Sequence, residues 1–225
     1  MTRKIFLFEI FLVVAALAAT LAAWPHLPSL VPTHWNLRGL PDRQNPREML
    51  FLIGPGFLVG WMLLTWLLPW LSPKSFEVDS FRSTYRQVMV MAVSLFAYAY
   101  AVILWSAMGH PLDAARAIVG GVCLFVALIG NVLGKVRRNF FIGVRTPWTL
   151  ASERVWNATH RFASKTFVAG GLTGLIFSIA KLHAWPVFAM VAGGLAPVVY
   201  SLVYYKRLER RGELEIGPAQ ADAQK

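Results

Sequence analysis

Cysteine is almost missing from this chain, with Cys123 the sole one among 225 residues. It has no intrachain partner, which excludes a disulfide framework and a cysteine-ligated zinc site, and its place inside an apolar run marks it as a small core residue. Charge is scarce too. Charged residues make up 15% of the chain, against about a quarter in soluble domains, and acids are the scarcer sign, with 11 Asp and Glu to 22 Lys and Arg. The histidines are dispersed, and only His34 with Asp42 offers even a pair of metal-type ligands. No HExxH, paired cysteines or nucleophile elbow occurs. The phosphate-loop comparison at Gly134-Lys135 fails because Val136 stands where Ser or Thr is required. A non-enzymatic chain without cofactor or metal is expected.

What is present is apolar: 56% of the residues are hydrophobic and mean hydropathy is +0.52. Apolar runs of the length that crosses a bilayer core, about 20 residues, cover Ile5 to Trp24, Leu50 to Leu71, Val88 to Met108, Ala114 to Gly134, Phe162 to Ala180 and Ala184 to Tyr205. The first has a cleavage-like Ala16-Leu17-Ala18, yet it is too long for a signal peptide and is expected to remain as a helix. Its single acid, Glu9, stands near the start of the run, where it should reach water. Gly56 and Gly60, Gly130 and Gly134, and Gly170 and Gly174 are each spaced one helical turn apart, so that neighbouring helices can approach closely.

The Lys and Arg excess points either to nucleic acid or to an anionic membrane surface. Beside six apolar spans the inner leaflet is the partner, and direct nucleic-acid binding is not expected. One set of alternating connections holds most of the cations, among them Lys135, Arg137, Arg138, Arg145, Arg154, Arg161 and Lys165. The other set holds only Arg38, Arg43, Arg47, Arg116 and Lys181. Positive residues stay inside, so both termini should be cytoplasmic in a bacterial inner membrane. Trp24, Trp105 and Trp185 then fall at the outer interface, and Trp70, Tyr85, Tyr204 and Tyr205 at the inner one.

The outer loop over residues 25–49 contains Pro25, Pro28, Pro32, Pro41 and Pro46. That density forbids a long helix and favours extended segments and turns. Within it, His34, Trp35, Asn36 and Asp42 form a candidate outer site, read either as a binding lid or as a loop with Trp35 at the interface. On the inner side, residues 135–165 interrupt the apolar pattern. Pro147 suits a first helical turn capped by Thr146, and Ala151, Val155, Ala158 and Phe162 share one face. This predicts an amphipathic helix lying in the interface plane. Trp156 and His160 are adjacent on it, four residues apart. With Arg137, Arg138, Asn139, Arg145, Thr146, Pro147, Trp148, Glu153 and Arg161 they make a candidate cytoplasmic docking surface.

The run Asn139-Phe140-Phe141-Ile142-Gly143-Val144-Arg145-Thr146-Pro147-Trp148-Thr149-Leu150, followed by Ser152-Glu153, Val155-Trp156 and Thr159-His160-Arg161, closely resembles the signature of the SdpI family of bacterial membrane proteins. The outer stretch Pro32-Thr33-His34-Trp35-Asn36, with Gly39 and Pro41-Asp42, is similar to the uncharacterised domain that often precedes that signature. The resemblance implies immunity to a secreted, membrane-active killing peptide. It also implies signalling, in which a cytoplasmic helix-turn-helix repressor is held at the membrane.

The expected architecture is all-α and polytopic, with six transmembrane helices and a cytoplasmic interfacial helix between the fourth and fifth. Residues 1–225 form a single membrane domain, in which 1–71 is an N-terminal two-helix unit, 114–205 the SdpI-like region and 206–225 a flexible tail. Glu9 and the paired glycines leave a small solute or lipid transporter as the alternative function. Against it, the sequence contains no inverted repeat and no pair of broken helices.

Overall fold

A computed structural model describes residues 3–36, 38–72, 78–182 and 184–214. The flexible tail expected over 206–225 is described only to residue 214, and Lys74, Glu77 and His183 also lie outside the described residues. The helices are α1 (Arg3–Ala23), α2 (Met49–Leu71), α3 (Arg82–Ala107), α4 (Ala114–Leu133), a short α5 (Pro147–Ala151), α6 (Glu153–Ile179) and α7 (Trp185–Arg210). Six of them, all but α5, are long and apolar enough to cross a membrane, and the chain is a multi-pass membrane protein. Their exposed surfaces carry the side chains a lipid environment accepts, including Phe11, Leu63, Ile176, Phe188 and Val199. Within α2, Pro55 has no N–H and its ring crowds the carbonyl four residues earlier. Residues 52–56 widen there into a π turn, with the Phe57 N–H reaching the Leu52 carbonyl.

The fold is not purely helical. Strands β1 (Leu30–Trp35) and β2 (Pro41–Pro46) form an antiparallel hairpin in the proline-rich loop, with register irregularities around His34. Pro41 and Pro46 sit at the ends of β2 and Pro32 beside a register irregularity, places where a missing donor does least harm. The turn is built by Asn36, whose Oδ1 accepts from the N–H groups of Arg38 and Leu40 at 2.9 and 3.2 Å, and by Gly39 at φ +79°. Arg47 fixes the hairpin base, donating to the Leu27 carbonyl at 3.2 Å with its guanidinium 4.3 Å from the Trp24 ring centroid.

Two apolar cores occupy the two ends of the bundle. Residues near the hairpin, among them Leu27, Val31, Leu50, Val93 and Leu104, form one. The other gathers Tyr85, Val88, Leu133, Val136, Ile142, Val144 and Trp156 where α3 and α6 start and α4 ends. This second end, which also receives the end of α7, is termed basal and the hairpin end distal.

Close helix approach is concentrated in α4, α6 and α7. A Cβ on Gly130 would lie 2.7 Å from the Val168 nitrogen, and one on Gly170 would lie 2.8 Å from the Ala189 carbonyl oxygen. The expected pair in α2 does not act this way. Nothing lies within 4 Å of Gly60, whereas Gly54 is the glycine that a neighbour, Tyr100, covers. Glu9 also differs from expectation: its side chain is fully buried, and neither carboxyl oxygen meets a hydrogen-bond partner. Being near the end of a span does not give access to water when α2 and α3 close over the position.

The predicted interfacial helix is not a separate element. Residues 153–165 are the first turns of α6, which runs unbroken to Ile179, so the fifth span starts at Glu153 rather than Phe162. Ser152 caps it by accepting from the Val155 N–H, and α5 is a single separate turn before it. The face carrying Trp156 and His160 is covered by the chain leaving α4, while Glu153, Arg154, Arg161 and Lys165 stay exposed.

Candidate functional site

Candidate residues fall into two groups, one at each end of the bundle. At the basal end, residues 136–149 fold back over the start of α6 and bury the face that carries Trp156, Thr159 and His160. Asn139 organises the turn and has no exposed surface. Its amide nitrogen donates to the carbonyls of Arg137 and Ile142 at 2.8 and 3.0 Å, and its oxygen accepts from the N–H groups of Phe141 and Ile142 at 2.7 and 2.8 Å. Every polar valence of this side chain is filled by backbone that would otherwise be buried without partners.

Trp156 and His160 are core residues as well. Trp156 has no exposed surface, and its indole N–H donates to the Val136 carbonyl at 2.8 Å. His160 stacks on it with ring centroids 4.0 Å apart. His160 Nε2 accepts from the Val144 N–H at 3.0 Å, so Nδ1 carries the proton and donates to the Trp156 carbonyl at 2.9 Å. Gly143, at φ +117°, lies directly over Nε2, where a Cβ would overlap the ring. Thr146 and Thr149 form a reciprocal capping box for α5, and Thr146 Oγ1 lies 3.1 Å from Ser201 Oγ on α7.

These placements divide the predicted docking surface. Asn139, Thr146, Trp156 and His160 are interior and hold the fold-back together. Arg137, Arg145, Pro147, Glu153 and Arg161 are exposed, Trp148 is half-buried, and Arg138 reaches across to the Leu150 carbonyl at 3.1 Å. Arg145 donates to the Phe140 carbonyl. Arg154 pairs with Glu213 at 3.1 Å, tying α6 to the end of α7. The exposed face is therefore a basic rim around a packed knot, and the adjacent tryptophan and histidine are not open to a partner.

At the distal end, a cavity of about 350 Å³ lies between the hairpin and the ends of α3, α4, α6 and α7. Its floor is apolar, formed by Ile103, Ile118, Val119, Leu182, Pro186 and Val187. Its rim carries His34, Asn36, Asp113, Arg116 and Lys181, with Trp35 half-buried among them. Three of the four predicted outer residues thus share one cavity. Asp42 is not among the lining residues and holds the His34 ring, with Oδ1 2.5 Å from Nδ1. No cluster of three metal-type ligands occurs among the described residues.

Asp113, Arg116 and Lys181 carried no local signal in the sequence, because three separate connections bring them beside the hairpin. Asp113 caps α4 by accepting from the Arg116 N–H at 3.0 Å, and its other oxygen pairs with the Arg116 guanidinium at 2.7 Å. Lys181 closes α6 in the left-handed region, at φ 61°. Among the described residues it has no carboxylate partner.

Residues 135–205 match the SdpI/YfhL protein family, a span that begins at the fold-back and ends in α7. Residues 11–59 match DUF1648, a domain of unknown function, and include the whole hairpin. The Immunity protein SdpI of Bacillus subtilis (strain 168) is 26% identical over 203 residues, covering 89% of this chain and 95% of that protein. No solved structure matches.

Proposed function

We propose that this chain, a member of the SdpI/YfhL family through residues 135–205, protects the membrane that holds it from a membrane-active killing peptide. The peptide would be met in the distal cavity. Full-length similarity to an immunity protein supports the protective role. The observation that carries the location is the cavity itself, an apolar floor of small-ligand size beneath a charged rim. A membrane-active peptide presents large apolar side chains beside polar backbone, so one or two of them fit the floor while the rim meets backbone and charge. His34, Trp35, Asn36, Arg116 and Lys181 are the contacts assigned to it, and no chemical step is required of them.

The charge distribution supports a cytoplasmic membrane location with both termini inside. Lys135, Arg137, Arg145, Arg161 and Lys165 gather at the basal end, where an anionic leaflet stabilises them. Signalling through a helix-turn-helix repressor would use this rim. Arg137, Arg145, Glu153 and Arg161 would form the contact, and Asn139, Trp156 and His160 would act only by holding the rim in shape.

Deleting and overexpressing the gene, then measuring survival against membrane-permeabilising peptides, tests the protective role. Overexpression is expected to raise survival, and deletion to lower it, for at least one peptide encoded near the gene. Unchanged susceptibility to every such peptide overturns the proposal.

A further inference from the structure

A polar groove of about 720 Å³ opens at the basal end, separate from the distal cavity and bordered on one side by the packed knot. Three elements converge on it. The first turn of α3 supplies Arg82, Ser83 and Thr84, the chain after α4 supplies Lys135 and Arg137, and α6 supplies Asn157 and Arg161. Among the described residues, all four charged side chains lining it are cationic. Lys135, Arg137 and Arg161 form no ion pair among the described residues.

The groove also receives the start of a 26-residue helix, α3, whose N-cap position, Phe81, offers no side-chain acceptor and whose first turn holds no acid. The positive end of the helix dipole at this position favours an anion. Converging cations are a second and independent feature of the same groove. Simple retention of positive charge on one side of a membrane requires cations near a helix end, but it does not require them to line one concavity with hydroxyl and amide donors between them. Arg138, adjacent in sequence, is directed elsewhere, to the Leu150 carbonyl.

We propose that this groove binds a phosphate ester. Arg137, Arg161 and Lys135 would hold the phosphate oxygens, with Ser83, Thr84 and Asn157 donating hydrogen bonds. The ester is either the headgroup of an anionic phospholipid or a soluble phosphate, and the groove opening at the end of the bundle allows both. Occupancy would clamp α3 to the fold-back, since the two sides of the groove belong to different parts of the chain.

The test uses the full chain in a zwitterionic detergent. Binding of short-chain phosphatidylglycerol, short-chain phosphatidylcholine, inorganic phosphate and pyrophosphate is measured by native mass spectrometry and titration. The paired variant Arg137→Gln with Arg161→Gln is compared with Arg207→Gln and Arg210→Gln, which remove two exposed cations of α7 outside the groove. At about fivefold for each cation, the groove pair is expected to weaken binding about thirtyfold, and the control pair to leave it within about twofold. Saturable binding of phosphatidylglycerol alone identifies a lipid headgroup, and binding of inorganic phosphate or pyrophosphate with similar sensitivity identifies a soluble ester. Absence of binding to all anions, or equal weakening by both variant pairs, overturns the proposal. Because both variant pairs keep their interior contacts, unchanged thermal stability without ligand confirms that a loss of binding is not a loss of fold.

Discussion

His160 Nε2 accepts the Val144 backbone N–H at 3.0 Å, and this bond fastens the start of α6 to the loop leaving α4. A histidine replaced by alanine would leave that N–H buried without a partner and open a cavity beside Trp156. Both effects are destabilising, together by about 3 kcal/mol or more. His160→Ala is therefore expected to lower the temperature at which the detergent-solubilised protein stays monodisperse. A stability equal to wild type would show that the fold-back does not depend on this residue.

Gly143 is predicted to be irreplaceable for a related reason. Its φ of +117° disfavours any side chain, and a Cβ would overlap His160. Gly143→Ala should cost about 2 kcal/mol or more. Combined with His160→Ala the cost should be less than additive, because removing the ring relieves the overlap. A double-mutant cycle on thermal stability measures this, and strict additivity would contradict the contact.

Asn139→Asp is predicted to be severely destabilising although the two side chains are nearly the same size. The carboxylate keeps the oxygen that accepts from Phe141 and Ile142 but turns its second oxygen on the carbonyls of Arg137 and Ile142. Two donors become two repulsions in a buried site. Yield and monodispersity of the purified variant report the effect, and wild-type behaviour would refute the assigned hydrogen bonds.

Glu9→Gln should be tolerated. Thr65 and Trp66 face the carboxyl without closing a hydrogen bond of good geometry, so replacing the acid by its amide removes no satisfied interaction. It also removes the cost of any buried charge. Thermal stability is expected to be equal or higher. A loss of more than about 1 kcal/mol would reveal a partner that holds the carboxylate in place.

Six spans were legible because each is a continuous apolar run, and hydropathy depends on no tertiary contact. The proline-rich loop was legible as extended chain, and Asn36 and Gly39 stand where the turn needs them. The error over Trp156 and His160 has a physical source. Periodicity identifies a helix face but not what covers it, and here the cover is backbone contributed by Val136 and Val144. The indole N–H and the imidazole made that face read as exposed, when the Trp156 Nε1 and His160 Nε2 are matched to main-chain groups of Val136 and Val144, well back along the chain. The distal cavity was half legible for the same reason. His34, Trp35 and Asn36 are neighbours in sequence, while Arg116 and Lys181 become their neighbours only after α4 and α6 have packed.

The most direct test of the distal cavity as the protective site is a killing curve with Ala115→Trp. Ala115 is half-buried on α4 and lines the cavity, so a larger ring fills the space without removing a polar contact. Cells expressing this variant at wild-type level are challenged with a peptide against which the wild-type chain protects. Protection lost while the protein remains folded in the membrane is the predicted result. Survival equal to that of cells carrying the wild-type chain would contradict it.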